Sequence, residues 1–159
     1  MTPHSLAPPY DFSPPARLLL QEAGWYPGRV IERPLYISPL LDYPPAVLAM
    51  LREFGGLTVP IGDKELAFEP TAAEWEDKIG GALKKYSWLL GRTLYPIGLI
   101  TDETDQMDVG VNVGVDKYGA VYLMGRGLER RGQTFAEGIS NLLTDIQGEY
   151  LHGSDLTWE

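Results

Sequence analysis

The chain contains no cysteine in its 159 residues, which excludes disulfides, thiol nucleophiles and thiolate metal ligands. Any metal would need oxygen or imidazole ligands, and imidazole is scarce: His4 and His152 are the two histidines, and nothing in the sequence joins them to a serine nucleophile or a ligand set. Basic residues are also short in number. Against 22 Asp plus Glu there are 13 Lys plus Arg, for a formal net charge of -9. Such a field repels a phosphate backbone and favours encounter with a basic surface, so direct nucleic-acid binding is not expected. The same acidity also serves solubility alone. No apolar run reaches the roughly 18 residues of a membrane span. Met1 to Pro9 lack the basic start and apolar stretch of a secretory signal, so a cytoplasmic, non-membrane protein is expected.

What is present points to one folded domain. The length suits a single core, and a 44% hydrophobic content with four Trp, nine Tyr and four Phe supplies large apolar surfaces to fill it. The proline-rich start predicts a flexible arm over residues 1–11, with the domain over 12–152 and a short tail over 153–159.

Ser13 before Pro14 and Pro15 predicts a capped helix running to Ala23 and stopped at Gly24, with Trp25 as a core anchor beside it. Arg29 to Ile37 read as one or two strands around Pro34. Asp42, Pro44 and Pro45 open a second helix ending at Gly55, with Val47, Leu48, Leu51 and Phe54 inward. Leu57–Ile61 and Glu65–Phe68 form a hairpin around Gly62, Asp63 and Lys64. Thr71 and Glu74 cap a helix to Leu90 whose inner face is Trp75, Ile79, Leu83, Tyr86 and Leu90, with Gly80 and Gly81 inside it.

Leu94 to Ile100 predict an irregular strand, placed at an edge or bulge by Pro96. Val109, Val111, Val113 and Val115 share one side of the next strand and Asn112 takes the other. A turn over Asp116–Gly119 returns the chain as Ala120–Met124, bringing Val121 and Leu123 to the valine face. Arg126, Arg130 and Arg131 fall in a solvated loop. Thr134 and Glu137 then cap a last helix from Phe135 to Leu151, with Ile139, Leu142, Leu143, Ile146 and Tyr150 inward. Hairpins interleaved with helices predict an α+β fold with a central, mostly antiparallel sheet, not a parallel nucleotide-binding sheet.

Chemistry-bearing constellations are few. An EF-hand loop opening at Asp102 would need glycine at Met107 and a carboxylate at Val113, so Asp102, Glu103, Asp105 and Asp108 do not form one. They remain an acidic, solvated or partner-facing segment, with a weak ion site the lesser alternative. No nucleophilic constellation, phosphate loop or ligand motif is present, and the count of 22 carboxylates does not by itself place an acid/base pair, so the expectation is a non-enzyme without cofactor or metal.

Ala23-Gly24-Trp25 followed by Gly28-Arg29, then Phe54-Gly55-Gly56-Leu57, Leu94-Tyr95-Pro96-Ile97-Gly98 and the Asp116–Tyr122 turn occur in this order ahead of a late amphipathic helix. In this order, from Phe12 to Leu151, the chain resembles the SUKH superfamily, specifically the SUKH-3 group of bacterial toxin-immunity proteins. The resemblance implies a SUKH-like α+β fold and a role in bacterial competition: binding and neutralising a cognate polymorphic toxin domain, with nucleases among such toxins. It leaves the toxin unidentified and implies no catalysis. Asp102, Glu103, Asp105 and Asp108 are expected to meet a basic toxin surface, with Tyr118 and Tyr122 as aromatic contributors. A monomer or weak homo-oligomer is expected. The alternative is a non-catalytic adaptor for a cellular protein.

Overall fold

The structure, a computed structural model, describes residues 6–32, 37, 41–70, 81–102, 110–125, 127–152 and 157–158. Its strands follow one another in chain order: β1 (Thr58–Ile61), β2 (Lys64–Ala67), β3 (Tyr95–Asp102), β4 (Val111–Val115), β5 (Val121–Met124), β6 (Leu128–Gly132), β7 (Glu149–His152) and the two-residue β8 (Thr157–Trp158). Each is antiparallel to the next, so the sheet is a meander without parallel pairs among the described residues. The helices are α1 (Pro14–Glu22), α2 (Pro45–Phe54), α3 (Ala82–Leu90) and α4 (Phe135–Leu143). The architecture is α+β, as the hairpin pattern predicts.

Alternation along the central strands sorts the side chains into two cores. Val113 and Val115 of β4 lie opposite Leu123 and Val121 of β5, and all four join the larger core with Leu20 of α1, Phe54 of α2 and Ile139 of α4. The intervening Tyr122 and Met124 turn to the other face, where Leu83 of α3, Leu94 and Leu128 meet them. The sheet is thus covered by α1, α2 and α4 on one side and by α3 on the other. Val109 lies outside the described residues, and Asn112 is buried, its Oδ1 without a hydrogen-bond partner among the described residues.

Packing begins earlier than Phe12. Leu6 and Tyr10 are buried in the larger core, and the Tyr10 ring meets Phe54 edge-on at 5.2 Å. Proline-rich sequence weakens helices and strands, but it does not prevent an intervening Leu or Tyr from burying apolar surface. At the other terminus, in the stretch expected as a tail, Thr157–Trp158 pair with β7, and the Trp158 ring lies 6.1 Å from that of Tyr122.

Several local expectations change. Ser13 precedes α1, but its side chain makes no cap bond; its amide instead donates to Ser140 Oγ at 2.9 Å. Pro44, not Asp42, stands at the cap of α2. Residues 29–32 and Ile37 carry no strand, and 33–36 lie outside the described residues. So do Trp75, Ile79 and Gly80; Gly81 takes a left-handed conformation (φ 65°) at the N-cap of α3 and is not inside a helix.

Pro96 sits on a central strand, and its missing donor is accommodated by a bulge between Pro96 and Gly98, one of the two placements expected for it. The loop expected around Arg130 and Arg131 is strand β6, while Arg126 lies outside the described residues. The last helix stops at Leu143, and Glu149–His152 form β7, leaving Ile146 and Tyr150 exposed instead of inward.

Candidate functional site

The turn between β4 and β5 is organised around one buried carboxylate. Asp116 Oδ1 accepts the amides of Tyr118 at 2.9 Å and Ala120 at 3.1 Å, a local side-chain-to-backbone arrangement that closes the turn. Its Oδ2 accepts the Tyr122 hydroxyl at 2.9 Å and Arg92 Nη1 at 3.0 Å. Asp116 is fully buried while the Arg92 side chain is 45% exposed, so the ion pair has one dry and one wet end. The hydrogen bond to Asp116 raises the Arg92 pKa above its ordinary value. Burial, and then the Asp116 charge, raise that of the Tyr122 phenol.

Arg92 reaches this position because α3 is stopped firmly. Gly91 is left-handed (φ 66°), its amide donates to the Trp88 carbonyl at 3.2 Å, and the Arg92 amide donates to the Ser87 carbonyl at 3.2 Å. Ser87 Oγ also accepts the Leu94 amide at 2.9 Å. Between this helix end and the turn lies an open groove of about 420 Å³ lined by Gly91, Arg92, Thr93, Tyr95, Lys117 and Tyr118.

Of the residues expected to contact a partner, the described ones are Asp102, Tyr118 and Tyr122, and their backbone positions are separated on the sheet. Tyr118 is half-buried beside the groove, with the Lys117 ammonium 5.0 Å from its ring centroid. Tyr122 is only 1% exposed, so it supports the turn from inside and offers no contact surface. Asp102 ends β3, opposite Lys64 in register, whereas Tyr95 at the start of β3 pairs with Val115 beside the Asp116 turn. Seven residue steps separate these two strand ends, roughly 23 Å at strand rise. Glu103, Asp105 and Asp108 lie outside the described residues.

Arg92 and Asp116 were not singled out by sequence reasoning, because a helix-end arginine and a turn aspartate meet only through the fold. The signal available was the turn itself, Asp116-Lys117-Tyr118-Gly119, whose first residue has the side chain an Asx-type turn requires.

A second groove, of about 490 Å³, gathers two of the sequence pieces quoted above. It is lined by Tyr26, Arg29, Val30, Ile31, Glu32, Gly55 and Gly56. Beneath it Trp25 stacks on Phe54 at 5.7 Å and donates from Nε1 to Glu53 Oε2 at 2.9 Å. Arg29 Nη1 donates to the carbonyls of Glu53 at 2.5 Å and Gly55 at 3.1 Å. These contacts tie α2 to the segment after α1, so the short motifs act as joints of the fold.

Among the described residues no group of three or more His, Cys, Asp or Glu could hold a metal ion, and no helix is long and apolar enough to cross a membrane. Comparison with family models finds a match over residues 12–145 to the family described as SUKH-3 immunity protein. Searches of curated proteins and of solved structures find no match.

Proposed function

We propose, from the premise that the chain belongs to the SUKH-3 family of immunity proteins, that it neutralises a cognate toxin by occupying the toxin's surface and without altering it chemically. Members of the family are non-catalytic immunity proteins that bind polymorphic toxins, and the match over residues 12–145 carries the reading. The finer statements are that the toxin is a nuclease with a basic surface and that the encounter takes place in the cytoplasm. A net charge of -9 supports the first, because it accelerates approach to a basic protein and discourages binding to that protein's nucleic-acid substrate.

Asp102, Glu103, Asp105 and Asp108 are the proposed carboxylates for that approach, with Tyr118 contributing at the opposite end of β3. Tyr122 acts indirectly, by holding the turn that carries Tyr118. Co-expression with the toxin encoded beside the gene tests the reading: growth is restored by the intact chain, and neither protection nor binding is the result that contradicts it.

A further inference from the structure

Positive charge is unevenly distributed. From Lys78 to Thr101 the sequence holds four cations and no carboxylate, although acids outnumber bases 22 to 13 over the chain. α3 and the groove after it display Lys84, Lys85 and Arg92 of this stretch. Lys84, Lys85 and Lys117 are exposed, and among the described residues none of them pairs with a carboxylate. Asp116 is buried and already engaged by Arg92, so it does not offset their field. Trp88, one turn before Arg92, is 80% exposed.

Among the described residues, the packing of α3 does not use these groups. α3 packs on the sheet through Leu83, Tyr86 and Leu90, and Trp88 lies off that face. Lys84 and Lys85 occupy the first turn of the helix, where the helix dipole disfavours cations, and no acidic residue stands there to offset them. An exposed Trp on a helix that leads into a groove lined by Arg92 and Tyr118 offers a large apolar anchor, and a cationic rim selects a partner of opposite charge. The Gly91 stop, the Ser87 bonds and the Arg92–Asp116 pair hold the groups in place before binding, which lowers the ordering cost of association.

We propose that Trp88 anchors the toxin-binding surface, that Lys84, Lys85 and Lys117 form its cationic rim, and that the toxin face seated there is acidic around an apolar pocket. This rests on the reading of the chain as a toxin-binding immunity protein. In sequence the first carboxylate after this stretch is Asp102, which ends β3 roughly 23 Å from Tyr95 at strand rise.

Calorimetric titration of the intact chain with the purified toxin domain encoded beside it tests the assignment. Trp88→Ala weakens binding by about 30-fold or more. Lys84→Glu with Lys85→Glu weakens it about tenfold at low salt and much less near about 0.5 M salt. Trp88→Phe keeps part of the affinity, and unchanged thermal unfolding of all variants confirms intact folding. Dissociation constants all within about twofold of the parent overturn this surface while leaving toxin binding intact. Failure of the parent chain to bind overturns both readings. Lysine-dependent affinity for a single-stranded RNA oligonucleotide, with toxin binding unaffected, also overturns the proposal.

Discussion

Asp116 joins the turn between β4 and β5, the end of α3 and the Tyr122 hydroxyl through four hydrogen bonds. Asp116→Ala leaves two amides and a phenol without their acceptor, an expected loss of about 2–4 kcal/mol that urea unfolding measures. Tyr122→Phe removes one donor and leaves the ion pair, so the loss falls to about 1 kcal/mol. Alkaline pH offers a second test, because burial raises the phenol pKa of both Tyr10 and Tyr122 above the ordinary value. Below about pH 10 both states are protonated and the full stability is present. As pH rises further the unfolded chain releases protons that the native chain retains, so stability declines. Thermal melts across that range show a fall for the parent and a smaller one for a Tyr10→Phe, Tyr122→Phe double variant. An identical slope in both would contradict the assignment.

At the scale of elements, α4 depends on close approach to the sheet. A Cβ on Gly138 would stand 2.5 Å from Val121 Cγ2, so Gly138→Ala costs about 1–3 kcal/mol from overpacking despite the helix propensity it gains. The start of the same helix is capped as its sequence predicts, the Glu137 amide donating to Thr134 Oγ1 at 3.1 Å. Thr134→Ala therefore costs about 1 kcal/mol, read from the unfolding midpoint.

Elements of this kind are legible because their signals are local: the prolines that open α1 and α2 and the alternation of the β1–β2 and β4–β5 hairpins follow their patterns, although neither α1 nor α2 has a side-chain cap. β6 and β7 are not legible. In β6 the charged Glu129 and Arg131 occupy strand positions and neutralise each other at 2.6 Å, a pairing invisible without the fold. In β7, Tyr150 continues the helical spacing of α4 by coincidence, although the chain turns at Asp145 through a left-handed conformation (φ 57°). A sequence stripe cannot distinguish one long helix from a helix followed by a strand when both place apolar residues at matching intervals. The candidate site was half legible for the same reason. Tyr118 stands at a surface groove, but the alternation that made Tyr122 a strand residue also sent it into the second core.

Over the whole molecule, the proposed function rests on surface and charge and not on a reactive group. Charge reversal at Asp102, Glu103, Asp105 and Asp108 is expected to slow association with the toxin, most strongly at low salt, as stopped-flow binding would record. An unchanged association rate would remove that segment from the interface.

Neutralisation by occupancy has a stoichiometric signature that catalysis lacks. Titrating the purified chain into a fixed amount of its cognate toxin, held well above the dissociation constant, is expected to reduce toxin activity linearly to zero at a fixed molar ratio, with both chains recovered at unchanged mass. Complete loss of activity at a small fraction of that ratio, or a covalent change in the toxin, would contradict the central claim.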